Sequence, residues 1–357
     1  MVEIAKLLKI MDEKNASDLH LKAGSPPCFR VHGSLILDSS PSLSASDVEK
    51  MAKTLLNEEK FSKFRKAKEF DFAYSLSGIG RFRVNMSFQK GLIAMAIRRV
   101  VAGEYLDVEK LGLPPVIKKL ADEPRGLVLV TGTAGSGKTT TLAAMINHIN
   151  KAKRAHIVTI EDPIEVLHKD NLSFITQREI EIDTESYQEA LKRVVRQDPD
   201  VILIGEMRDL ETVRAAVSAA EIGHLVLSTL HTIDATETIN RIIDFFPPYQ
   251  QKQIRAMLAA TLKGIVSLRL LPKVGGGRVP AVEAMVTTST TKEYILNEAE
   301  TSKIKEAIAD GDYYGMMTFE QSLEKLYQEG KISLEDALNT AANPHDFKLM
   351  LRQKGLV

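Results

Sequence analysis

Lys138 and Thr139 close the run Gly132-Thr-Ala-Gly-Ser-Gly-Lys-Thr139, whose spacing is that of a phosphate-binding loop. Gly132, Gly135 and Gly137 let the backbone curl so that its N–H groups converge on phosphate oxygens. Lys138 supplies a point charge for the β- and γ-phosphates, and Thr139 a hydroxyl where Mg²⁺ would sit. A helix starting here turns its positive end toward the same anion. Thr133, Ala134, Gly135, Ser136, Gly137, Lys138, Thr139 and Thr140 are therefore the expected nucleotide contacts. The competing reading is a glycine-rich turn with no ligand. An apolar run before the loop (Leu127 to Val130) and a helical pattern after it (Leu142, Met145, Ile146, Ile149) weigh against that reading.

Three later stretches carry further chemistry. Ile160-Glu-Asp-Pro-Ile-Glu165 puts carboxylates at the end of a strand, the edge where open α/β sheets bind ligands. Asp198 to Asp209 contains an apolar strand that delivers Glu206, and it resembles a Walker B strand. It departs from the commonest form because the acid is a glutamate that follows Gly205. Gly223 to Thr232 is a strand with a histidine at each end, His224 and His231. Taken singly, Asp162 also suits a turn or helix cap, Glu165 a surface acid and His224 a satisfied core histidine. Their order after a phosphate loop, each at a strand end, favours a functional set.

The elements that must position these groups read as follows. Residues 1–100 form a small α+β domain: a helical stripe (Ile4, Leu7, Leu8, Met11), alternating strands, one helical stretch from Ser46 to Phe64, then strands over 70–74, 81–88 and 92–100. Residues 101–125, with Pro114, Pro115 and Pro124, read as a linker. From 126 to 285, short apolar strands alternate with helices, which argues for a parallel three-layer α/β sheet. It closes on a hairpin across Gly275-Gly276-Gly277. Residues 286–357 read as a helical tail.

Composition narrows the function class. The chain has 357 residues, 44% hydrophobic and 26% charged, an ordinary globular balance that suits two domains. Lys+Arg and Asp+Glu both number 47, so no basic footprint for nucleic acid is expected. Cys28 is the single cysteine, which excludes an intramolecular disulfide and a thiolate metal cluster and suits a reducing cytoplasm. No run is apolar enough for a membrane span, and the N-terminus carries acids unlike a signal peptide.

These stretches, with Ala16-Ser-Asp-Leu-His-Leu, Gly80-Arg-Phe-Arg-Val-Asn85 and Gln177-Arg-Glu179, resemble the PilT-like type IV pilus retraction ATPases, within the larger group of hexameric secretion ATPases. The match runs to about residue 285 and is weaker in the tail. The resemblance implies a PAS-like N-terminal domain, a RecA-like P-loop ATPase domain, Mg²⁺ and ATP, and a homohexamer. It also implies a cytoplasmic location docked at the inner membrane, against the platform protein of the pilus machine and possibly beside a related pilus ATPase. Glu165 matches the catalytic glutamate, Glu206 the Walker B acid and a metal-shell ligand with Thr139. His224 and His231 match the histidine box, with His231 on the catalytic side. Glu161 and Asp162 belong to the acidic box. Arg81, Arg83 and Arg98 match arginines that approach the phosphates. Two of them, at i and i+2, share one side of a strand, where a solvated face is the plainer reading.

The departures are specific. Family members usually carry Pro-Thr where this chain has Thr133-Ala134, so a looser loop is expected. The segment Thr290 to Ile295 replaces an Ala-Ile-Arg-Asn-Leu-Ile type, leaving Lys292 with the charge but not the planar fork of arginine. Assembly ATPases of the group carry a four-cysteine zinc motif, which one cysteine cannot supply. A retraction motor driving twitching motility is the expectation. The alternatives are an accessory paralogue, a non-hydrolysing partner subunit, an assembly or secretion ATPase and, least in keeping with the charge balance, a nucleic-acid motor.

Overall fold

By packing, the polypeptide separates into two units, Met1–Val101 and Ala102–Val357. The computed structural model describes residues 3–31 and 33–357.

In the first unit, α1 (Ile4–Glu13) buries the stripe Ile4, Leu7, Leu8 and Met11. Strands β1 (Asp18–Lys22), β2 (Cys28–Val31), β3 (Ser34–Leu37), β4 (Glu69–Leu76), β5 (Gly80–Gln89) and β6 (Leu92–Arg99) form an antiparallel sheet in the order β3-β2-β1-β6-β5-β4. The β5–β6 turn is Lys90-Gly91, both at positive φ (52° and 78°), as a two-residue turn matched to strand twist requires. The expected single helix from Ser46 to Phe64 is two, α2 (Ala45–Leu55) and α3 (Glu58–Ala67). Leu56 leaves the helix in an extended conformation, and Asn57 restarts it by accepting the Lys60 N–H at 2.9 Å.

The two-residue strand β7 (Val101–Ala102) leads into the second unit. The stretch read as a linker carries α4 (Val116–Ala121) and buries Val108, Leu113, Val116, Ile117 and Leu120 within that unit's core. Then follow β8 (Gly126–Thr131), α5 (Lys138–Ala152), β9 (His156–Glu161), β10 (Val166–Leu167), β11 (Phe174–Glu179), α6 (Tyr187–Val194), β12 (Val201–Ile204), α7 (Leu210–Glu221), β13 (Leu225–Leu230), α8 (Ala235–Asp244), α9 (Pro248–Thr261), β14 (Leu262–Pro272) and β15 (Arg278–Val286). The sheet order is β11-β9-β12-β13-β8-β14-β15, parallel throughout except β15. Side chains of β8 alternate between two cores. Leu127 and Leu129 join α6 to α9, while Val128 and Val130 join α4 and α5, so both faces are covered.

The late hairpin is therefore part of the main sheet, and β14 lies directly beside β8. Its far end meets a further cluster. Leu271, Val279 and Ala281 pack with Phe319 and Leu323 of the helix Phe319–Gln328 and with Phe347 of a C-terminal helix (Pro344–Gln353). Arg269 of β14 stacks 3.9 Å over Phe319 and donates to Thr340 O at 2.7 Å. Glu283 of β15 is 4% exposed and accepts the Ala235 N–H at 2.8 Å at the start of α8.

Candidate active site

Parallel register places the carboxyl ends of β9, β12, β13 and β8 side by side at one sheet edge. Along that edge lie Glu161 to Glu165, Glu206, His231 and the phosphate loop. The four sequence stretches thus converge through topology.

The loop turns on Gly132, at φ +140°. A Cβ there would stand 2.6 Å from Leu268 O of β14 and 2.5 Å from Ser136 Oγ, so only glycine fits. Gly137, at φ +100°, caps α5, and Thr141 N–H closes its first turn on Gly137 O at 2.9 Å. The opening amides of α5 have no carbonyl a turn behind them and face outward as anion donors. Thr133, Ala134 and Gly135 are exposed, Ser136 is buried, and Lys138, Thr139 and Thr140 are half-buried.

Lys138 Nζ is held by the loop itself, donating to Gly132 O at 2.8 Å and Thr133 O at 2.9 Å. It also lies 3.5 Å from His231 Nδ1. His231 Nε2 is 3.2 Å from Glu206 Oε1, and Arg208 Nη2 is 2.9 Å from Glu206 Oε2. A neutral imidazole protonated on Nε2 satisfies both of its neighbours, donating to Glu206 and accepting from Lys138. Burial pulls the Lys138 pKa below the ordinary lysine range, and the charges of Glu206 and Glu165 oppose it. Both acids therefore lie within electrostatic reach of the phosphate-binding ammonium. The chain Lys138–His231–Glu206–Arg208 alternates donor and acceptor across three adjacent strand ends.

Glu161 has a different task. Its Oε1 accepts from Thr159 Oγ1 at 2.6 Å and Gln177 Nε2 at 3.1 Å, and the Glu165 N–H bonds to the same carboxylate. Burial raises its pKa, against those hydrogen bonds. Gln177 also donates to Val166 O at 2.9 Å and accepts from His168 N–H at 2.9 Å, while Glu179 accepts from Ile164 N–H at 3.2 Å. The loop that carries Glu165, past the cis Asp162–Pro163 peptide, is thus held on both sides. Glu165 and Asp162 themselves are exposed.

A family model for type II/IV secretion system proteins matches residues 4–350. The chain belongs to that family. This family member is 42% identical to the type IV pilus retraction ATPase PilT of Pseudomonas aeruginosa, across 97% of this chain and 100% of the relative. It is 41% identical to the type IV pilus ATPase PilU of the same organism, across 98% of this chain and 92% of that one. A crystal structure of the pilus retraction motor PilT with bound ADP superposes with a TM-score of 0.90 at 43% identity, covering 98% of this chain and 100% of that one. The mixed α/β fold is therefore that of PilT.

The other expected residues have these surroundings. His224 sits at the opposite edge of the sheet, about 20 Å along β13 from His231. There its Nδ1 meets Pro199 O at 2.7 Å, and His156 Nδ1 meets Asp198 O at 3.2 Å. Asp200 Oδ2 accepts the His156 N–H at 2.8 Å. The Asp198-Pro-Asp200 segment thus ties the strand starts together, with the His224 Nδ1 contact among those ties. In the first unit, Arg83 and Arg98 are cross-strand partners, and Arg98 Nε lies 2.8 Å from Asp18 Oδ1. Burial would raise the Asp18 pKa, but hydrogen bonds from Arg98 and Ser17 outweigh it and hold the carboxyl below its usual range. Arg81 shares the strand β5 with Arg83. Lys292 stands exposed on a helix, Ser289–Leu296. Sequence reasoning missed Arg208 and the clamping roles of Gln177 and Glu179. Arg208 left a signal as a cation two residues past an acid at a strand end, and Gln177-Arg-Glu179 left one only as a stretch of the family resemblance.

Among the described residues no group of three or more His, Cys, Asp or Glu side chains could hold a metal ion, and no helix is long and apolar enough to cross a membrane. Thr139 and Glu206 each carry an oxygen donor of the kind Mg²⁺ takes, and that ion draws most of its ligands from phosphates and water.

Proposed function

We propose that this chain is an ATP-hydrolysing motor that powers type IV pilus retraction, and with it twitching motility. The observation that carries the reading is the match to the PilT ATPase, which spans 97% of this chain and all of the relative. The first unit is PAS-like, with bounds 1–100, and 126–285 is a RecA-like ATPase core followed by a helical subdomain. Residues 101–125 join them in sequence but pack with the core.

In this reading Lys138 and the α5 amides bind the β- and γ-phosphates. Glu165 takes a proton from water as its oxygen bonds to the γ-phosphorus, and the bond to the β-phosphate oxygen breaks to release ADP. Glu206, fixed by His231 and Arg208, and Thr139 would hold Mg²⁺, which when bound neutralises phosphate charge. Arg81, Arg83 and Arg98 supply positive charge to the transferring phosphoryl group. The working state is a homohexamer at the cytoplasmic face of the inner membrane, against the platform protein of the pilus machine.

Phosphate release by the purified chain, above a Lys138→Ala control, tests hydrolysis. Gene deletion tests the direction: surface pili that persist without twitching support retraction, and their loss indicates an assembly motor. The near-equal match to PilU favours one second reading, an accessory retraction ATPase. Twitching that survives the deletion while another retraction motor is present supports it.

A further inference from the structure

The helix α5 begins at Lys138 and carries two buried asparagines three residues apart, Asn147 and Asn150, on one face. Asn147 Nδ2 donates to Leu106 O at 2.6 Å. Asn150 Nδ2 donates to Lys169 O at 2.8 Å, and its Oδ1 accepts the N–H groups of Asn171 and Ser173 at 3.0 and 3.2 Å. The helix that opens on the phosphate loop therefore grips two stretches: a strap over 103–107, near the start of the second unit, and the segment that follows Glu165 through β10. The two stretches also meet each other. β10 pairs with β7, and Lys169 Nζ lies 3.1 Å from Glu104 Oε1. Between them sits His168. A Cβ on Gly103 would stand 2.5 Å from His168 Nδ1, 2.7 Å from its Cε1 and 3.1 Å from Val166 Cγ1. Gly103 is buried, and its φ lies outside the left-handed region. What excludes a side chain there is the ring, not the backbone. Among the described residues neither ring nitrogen has a hydrogen-bond partner, and burial pushes the imidazole pKa down to about 4, so the ring works by its shape.

We infer that His168 is a positioning residue of the hydrolytic site: a wedge seated on Gly103 that sets the distance between α5 and the segment bearing Glu165. The inference rests on the ATPase reading. Glu161, Gln177 and Glu179 tie the Glu165 loop to β9 and β11. The brace of Asn147, Asn150 and His168 ties the chain just after it to the helix that begins at Lys138. The base is thereby held in register with the phosphate loop. A base that must meet water beside a bound phosphate loses rate steeply when displaced by about 1 Å.

The test is His168→Ala in the full chain, read by kcat, nucleotide affinity and Tm. Expected are a roughly tenfold fall in kcat and an affinity within about twofold, because a misplaced reacting group acts on the chemical step and not on binding. His168→Phe keeps a flat ring on Gly103 and should return kcat to within about threefold of wild type. Gly103→Ala approaches the same contact from the strap. It should lower kcat several-fold in wild type and much less in His168→Ala, where the methyl has room. That cycle reads the wedge even where His168→Ala lowers Tm. An active wild type whose His168→Ala form matches it in kcat, or loses kcat and affinity by equal factors, overturns the inference alone. So do a His168→Phe form as slow as His168→Ala and equal Gly103→Ala costs in the two backgrounds. A wild type no faster than Lys138→Ala overturns the ATPase reading beneath it.

Discussion

His231 Nε2 lies 3.2 Å from Glu206 Oε1, so the residue after β13 steadies the acid after β12. The other ring nitrogen faces Lys138. The imidazole is a spacer between a cation and an anion that would otherwise approach each other directly. His231→Ala should lower kcat by on the order of 10- to 100-fold while nucleotide affinity changes little, because the ammonium keeps both loop carbonyls. Single-turnover hydrolysis beside equilibrium nucleotide binding measures the split. Equal losses in both would mean that His231 holds the nucleotide rather than Glu206.

Glu165 projects from a loop clamped by Glu161, Gln177 and Glu179, which suits a base that must meet water at a fixed place. Glu165→Gln removes the basic oxygen and keeps the shape. Turnover should fall by at least about 100-fold with binding intact. Turnover at the wild-type rate would pass the role of base to Glu206.

Gly132 and Gly135 share a loop and positive φ but not their surroundings. A methyl on Gly132 meets Leu268 O, whereas one on Gly135 meets nothing within 4 Å. Gly135→Ala should cost about 1 kcal/mol, the dihedral penalty alone. Gly132→Ala should cost several kcal/mol and nucleotide affinity as well. Urea unfolding and nucleotide titration of the pair check the ranking, and equal costs would contradict the contact with β14.

Glu283 gives a pH signature. Burial, with the charges of Asp234 and Glu320, raises its pKa to about 7, against the Ala235 N–H and Lys305. In the unfolded chain it titrates near 4.5. Its contribution to stability is therefore complete below about 4.5 and is lost as pH rises through about 7. Glu283→Gln keeps the acceptor for Ala235 and cannot ionise. Relative to wild type, the variant should gain stability across that window, reaching on the order of 3 kcal/mol above it. Denaturant melts at about pH 5 and about pH 8 read the difference directly, and parallel stabilities at the two pH values would contradict it.

The phosphate loop was legible because a local pattern carries all of it: an apolar strand, glycines, a cation and a helix stripe. Glu206 and His231 were legible for the same reason, each ending an apolar run. The roles of their partners were not, since Gln177 and Arg208 find their acceptors only once β11, β9 and β12 are neighbours, and strand order leaves no periodic trace. His224 ends the same strand on the other side, and its partner, Pro199 O, is visible only once β12 and β13 are neighbours. The position of β14 beside β8 was hidden too, because the hairpin's own pattern does not say which strand it joins. In α4 the pair Pro114-Pro115 suggested a connector, although prolines also suit the entry to a helix.

Along β14, Leu268 presents its carbonyl to Gly132, and Arg269, the next residue, stacks on Phe319 and bonds to Thr340 O. One peptide unit therefore separates the floor of the nucleotide loop from the anchorage of the C-terminal helices. The loop's floor and the helices' anchorage thus take their positions from the same stretch of β14, with no loop residue between them.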